Sequence, residues 1–134
     1  MRGPADLSRG LLRKATSDLV ALDAALEAGA YDAACFHAQQ AAEKYLKAFL
    51  AHRSVPFPYT HNLAKLIELC AETDPAFRPL LPLAAPLTPY AVELRYDDSF
   101  WPPLETANQA RASAVTVRDF VLDRLPKDIL HAPE

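Results

Sequence analysis

Apolar residues recur every three or four positions over four stretches of the chain, the repeat of an α-helix that buries one side. In the first stretch, Leu7, Leu11, Leu12, Ala15, Leu19, Leu22 and Leu26 form one stripe and Gly29 supplies a stop, so a helix is expected from about Leu7 to Ala28. The second runs to His52 or Arg53, with Asp32 placed to cap it. Its apolar side is built from Ala34, Ala38, Ala41 and Ala42, and extended by Cys35, Leu46, Phe49 and Leu50. Small side chains let another helix come close, which predicts a central helix rather than a surface strut. Its polar stripe is Gln39, Gln40, Glu43, Lys44 and Lys47, with Glu43 and Lys47 in the favourable i,i+4 order.

Two prolines exclude helix from Ser54 to Tyr59. A third helix opens near Thr60 or Asn62 and carries Leu63, Leu66, Ile67 and Cys70 on one side. Most of the twelve prolines fall between residues 74 and 103, which predicts short helical turns and extended pieces, with one better segment from about Pro89 to Tyr96. A fourth helix starts after Pro102 and Pro103, turns Ala107, Ala110, Ala114, Val117, Val121 and Leu125 inward, and ends at Pro126. The expected fold is all-α: an up-down four-helix bundle with a proline-rich segment between helices 3 and 4. Residues 1–125 make this single domain and residues 126–134 a C-terminal tail.

Composition agrees. Half of the 134 residues are hydrophobic, mostly Ala and Leu, with three glycines; β-branched residues are too sparse for a sheet. A chain of this length buries about two-thirds of its unfolded surface without disulfides or a structural metal. Cys35 and Cys70, each among apolar neighbours, read as buried thiols in a reducing cytoplasm. No apolar core of a signal peptide opens the sequence, and the stretch from Leu80 to Ala91 is too short and too broken by proline to span a bilayer. The expected location is cytoplasmic, with no membrane contact. A net charge of −3 argues against coating nucleic acid through the overall field. Local basic groups remain: Arg2, Arg9, Arg13 and Lys14 at the start, and Lys44, Lys47, His52 and Arg53 along helix 2. Their plain reading is a solvated helix face.

Three blocks carry a resemblance. The run Tyr31-Asp32-Ala33-Ala34-Cys35-Phe36-His37-Ala38-Gln39-Gln40-Ala41-Ala42-Glu43-Lys44-Tyr45-Leu46-Lys47-Ala48-Phe49-Leu50, the later Thr60-His61-Asn62-Leu63, and Tyr90-Ala91-Val92-Glu93-Leu94-Arg95-Tyr96-Asp97 stand in order. Together they resemble the HEPN family of small helical proteins, over roughly Leu7 to Leu125. The resemblance implies a nucleotide- or RNA-associated protein, usually a homodimer, often paired with a separately encoded minimal nucleotidyltransferase in a toxin–antitoxin-like couple. It implies no cofactor.

In ribonuclease members an Arg is followed after four to six residues by a His at the entry to the last helix. Arg95 stands at the position of that Arg, so the His is expected at 100, 101 or 102, where Phe100, Trp101 and Pro102 occur. No catalytic residue is therefore assigned, and the expected function is a non-catalytic HEPN protein. A diverged metal-independent ribonuclease and a purely structural interaction module are the alternatives. Candidate nucleotide or RNA contacts are Arg95, Tyr96, Lys44, Lys47, His61 and Asn62. His61 and Asn62 open a helix and so could simply cap it, or could help hold a phosphate at its free amides. Arg53 with His61 and Arg124 with His131 are misplaced or interrupted as Arg…His pairs, and His37 reads as a partly buried core or interface residue. Asp97 and Asp98 lack the further ligands a metal needs. Phe100 and Trp101 are an anchor or an exposed interface patch.

Overall fold

Helix α1 (Pro4–Ala28) starts one turn earlier than the apolar stripe requires. Pro4 fills a first-turn position whose amide would be unpaired anyway, and the Gly3 amide donates to the Asp6 carboxylate. The computed structural model describes residues 3–131, so Arg2 and the last three residues of the expected tail lie outside the described residues. Ala15 and Leu22 are fully buried, with Leu12, Leu19 and Leu26 packed beside them. Leu7 and Leu11 were expected in the same stripe but do not join the core; Leu7 is about half exposed. Ser8 takes the inward place instead, its hydroxyl donating to the Ala48 carbonyl at 2.8 Å, and Asp18 is buried one turn after Ala15.

Helix α2 (Tyr31–His52) lies between α1 and α5 (Leu104–Leu122) and touches both along its length. Ala34, Ala38, Ala41 and Ala42 are fully buried, as are Cys35, Leu46 and Leu50, with Phe49 nearly so. On α5 the inward set Ala107, Ala110, Ala114, Val117 and Val121 is buried, as is Leu125 just past its end. Alanine on both contact faces is what allows two helix backbones to approach. Asp32 does not cap α2: Ala30 holds the cap position and Asp32 lies inside the first turn. The physical reason is the tightness of the α1–α2 corner, where Gly29 at φ +78° sends the chain straight into the next helix.

Both long helices end in the same device. At α1 the Ala30 amide bonds the Ala25 carbonyl and Gly29 bonds Leu26; at α2 Val55 bonds Leu50 and Ser54 bonds Ala51. These are paired Schellman bonds around a left-handed residue. In α2 that residue is Ser54 at φ +56°, where a side chain is uncommon.

Helix α3 (Leu63–Thr73) buries Leu63, Leu66, Ile67 and Cys70 against α2. The following prolines do not produce extended pieces. A 3-10 helix at Pro75–Leu80, a single α-turn α4 (Leu81–Ala84) and a second 3-10 helix at Ala85–Tyr90 follow without a break. Tighter winding suits a stretch whose prolines cannot supply the amides an α-helix needs. The better segment expected from Pro89 to Tyr96 is only turns after Tyr90. Phe49, Phe77 and Phe120 stack in series, at 4.5 and 4.7 Å between centroids, and hold this excursion to α2 and α5. In the segment expected to be a tail, α6 (Lys127–Leu130) buries Ile129, and its Asp128 carbonyl accepts from Arg9 at 2.7 Å. Six α-helices, with no strand among the described residues, thus stand where four helices were expected.

Because Ala38 and Ala42 are fully buried where α2 meets its neighbouring helices, Ala38→Leu and Ala42→Leu are each expected to lower stability by about 1–3 kcal/mol. Thermal melts checked by circular dichroism measure this directly; melts superimposable on the parent's would place that face away from the core.

Candidate functional site

The polar stripe of α2 is not a solvated face. Gln39, Glu43 and Lys47 are all buried, Lys47 at 8 % exposure. A charge in that position is stable only with a partner and a full set of hydrogen bonds. Glu43 provides both. One carboxylate oxygen accepts from Lys47 Nζ at 2.9 Å, while the other accepts from Gln39 Nε2 at 3.1 Å and lies 2.7 Å from His61 Nδ1. Gln39 Nε2 also donates to the His61 carbonyl at 3.0 Å, and Gln40 donates to Gln39 Oε1. Burial alone would raise the Glu43 pKa, yet the bonds from His61, Lys47 and Gln39 together hold it below its ordinary value.

A second carboxylate repeats the arrangement. Asp18 of α1 accepts from Lys44 Nζ on one oxygen and pairs with His37 Nδ1 at 2.9 Å on the other. Each hub therefore takes one lysine and the Nδ1 of one histidine. An imidazole held this way by an ionised carboxylate keeps its proton on Nδ1 when neutral, so Nε2 becomes the accepting nitrogen. Lys44, Lys47 and His61 are legible in the sequence as separate candidates, whereas Asp18 is not legible as a hub, since it meets its partners from another helix.

Arg95 is brought to the same helix from the turn after the second 3-10 helix. Its guanidinium carbon lies 4.2 Å from the Phe36 ring centre and 5.5 Å from that of Tyr96. Phe36 in turn meets His37 edge-on at 5.1 Å. Stacking leaves the edge N–H groups of a guanidinium available for an anion. Tyr96 is 75 % exposed. Five of the six candidates thus fall into two groups: Arg95 and Tyr96 at Phe36, with Lys44 on the Asp18 that also holds the neighbouring His37, and Lys47 and His61 on Glu43.

Asn62 belongs to neither group. Its side chain accepts from the Lys65 amide at 3.1 Å as the cap of α3, and the Leu63 amide donates to Thr88 Oγ1 at 3.1 Å. Two amides that a phosphate would need at this helix start already have partners. His61 does not cap at all.

Beside Glu43 stands a loop ring: Tyr59 is 93 % exposed, 5.8 Å from Lys47 Nζ and edge-on to His61 at 5.7 Å. In the sequence Tyr59 is marked only by its place in a proline-containing loop. Of the alternative Arg…His pairs, Arg53 lies over Phe49, while Arg124 lies over Phe120 and binds Asp74 at 3.0 Å, so both arginines serve packing. Phe100 anchors on Tyr90 and Trp101 stays exposed, its indole N–H on the Asp98 carbonyl. Burial pushes the Cys35 thiol up to about 11 and the Cys70 thiol up to about 12, so both are protonated, inert and unbridged. Among the described residues, no three His, Cys, Asp or Glu side chains converge as a metal ion requires, and no helix is long and apolar enough to cross a membrane.

A HEPN domain family model matches residues 8–125. Among solved structures, an archaeal HEPN homologue shares the fold with a TM-score of 0.70 at 24% identity, over 92% of this chain and 98% of that one. No curated protein matches.

The Glu43 hub makes a pH prediction. Its folded pKa lies below the ordinary 4.5, so the unfolded chain binds the proton more readily. The stabilisation is complete above about 4.5 and is lost as pH falls through the folded value. Glu43→Gln is expected to flatten that part of the acid unfolding profile, measured by urea titration at successive pH values. An unchanged slope would separate Glu43 from acid stability.

Proposed function

Because the chain belongs to the HEPN family, we propose that it is a non-catalytic member that binds a nucleotide or RNA, as one half of a pair with a separately encoded nucleotidyltransferase. One observation carries this reading: Arg95, stacked on Phe36 and beside exposed Tyr96, offers a guanidinium edge and an aromatic face together. That pairing suits a phosphate and a base. No histidine follows Arg95 at residues 100–102, so the proton transfers of the family's ribonucleases have no agent at the usual place. In this reading α1, α2, α3 and α5 form an up-down four-helix bundle, and the protein works in the cytoplasm.

A homodimer is part of the proposal, through the exposed patch that includes Trp101. The inward alanines of α2 and α5, among them Ala34, Ala38, Ala42, Ala107, Ala110 and Ala114, are already covered within one chain. Val92, Trp101 and Leu104 remain exposed along the connection into α5, and they suit a second copy. A nucleotidyltransferase gene of similar size beside this one would support the pairing.

One feature favours the ribonuclease alternative. His37, held on Asp18, meets the ring on which Arg95 lies, so an imidazole from α2 and the guanidinium share one aromatic neighbour.

The decisive comparison uses purified protein, Arg95→Ala and His37→Ala on mixed RNA in EDTA, with binding of AMP and RNA measured on the same samples. No cleavage by any of them, and binding weakened at least about tenfold by Arg95→Ala, is the expected result. Cleavage by the parent that vanishes in both variants would establish the ribonuclease. Light scattering at micromolar concentration is expected to give twice the 14.7 kDa chain mass, and a mass of one chain would remove the dimer.

A further inference from the structure

Lys47, Glu43, Gln40 and Phe36 lie within an arc of about 60° on α2, so the Arg95 stack and the Tyr59 ring open on the same face of one helix. Eleven residues separate Phe36 from Lys47, an axial distance of about 16 Å. Each end joins an exposed tyrosine to a cation: Tyr96 to Arg95, and Tyr59 to Lys47. Half-buried Gln40 and Lys44 occupy the length between. Lys44 is paired with Asp18 and Lys47 with Glu43, whereas among the described residues Arg95 makes no ion pair, so its guanidinium is the cation left for a phosphate on this side.

The geometry points to a single-stranded polynucleotide as the ligand, laid along α2 with one base on Tyr96 and another on Tyr59. This rests on the nucleotide-binding reading of the Arg95 stack and extends it to a second station. A mononucleotide fills only one end. A stacked strand rises about 3.4 Å per nucleotide, so the span corresponds to roughly five steps, and to fewer when the strand is extended. At the Tyr59 end, Nδ1 of His61 is held by Glu43 and its Nε2 is the polar atom left for the ligand. Base stacking on an exposed tyrosine tolerates any sequence, so recognition is of strandedness and length.

Fluorescence anisotropy on the full chain tests this with a labelled uridine RNA octamer, a labelled thymidine DNA octamer and AMP as competitor. The octamers are expected to bind at least about tenfold more tightly than AMP, and Tyr59→Ala to cut octamer affinity by about five- to a hundredfold. Tyr59→Phe keeps the ring and is expected to restore it. RNA favoured over DNA would assign the ligand to RNA, and equal binding to single strands in general. Octamers binding no better than AMP, with Tyr59→Ala silent, would overturn the second station and leave the mononucleotide site intact. No binding of octamer or AMP would overturn both this inference and the function on which it rests.

Discussion

A helix enclosed by neighbours on most of its sides has no water to satisfy its polar groups, and α2 is such a helix. Everything polar on it must be answered from within the protein. Gln39, Glu43 and Lys47 are answered by one another and by His61, which arrives from the loop before α3. Lys44 and His37 are answered by Asp18, which arrives from α1. The polar stripe therefore does two things that a leucine seam would not. It fixes the position of α2 relative to α1 and to the start of α3 through directional bonds, and it orients two imidazoles. Replacing such a network with apolar residues need not lower stability, so its role here is better described as placement.

The apolar half of the fold was legible because it obeys a period. Every alanine, leucine and valine assigned inward on α2, α3 and α5 is buried, and the glycine stop of α1 stands where expected. Leu7 and Leu11 fit the same period but lie on the flank of the stripe that Ser8, Ala15 and Leu22 centre, so Ser8 takes the inward place and the two leucines miss the core. Proline misled in the other direction. Its spacing between residues 75 and 89 excludes a long α-helix, but 3-10 winding places fewer demands on the amides that proline lacks.

The candidate site was legible residue by residue and not as an arrangement. Lys44, Lys47, His61, Arg95 and Tyr96 were all visible as polar or aromatic groups at marked positions. What sequence spacing could not convey is pairing across elements: Asp18 with His37 and Lys44, or Arg95 with Phe36, at separations of 19 residues and more. Asn62 was the reverse case. Local chemistry at a helix start is a short-range matter, and the cap predicted there exists.

Beyond the left-handed Ser54, Pro56 and Pro58 leave the backbone that leads to Tyr59 with fewer conformations to choose among, even before the chain folds. The ring is almost wholly in solvent, yet it is mounted on a stiff arm. Whatever lies against it meets a surface whose ordering entropy was surrendered during folding and not at the moment of contact. Exposure and rigidity, usually opposed in a loop, coincide at this tyrosine.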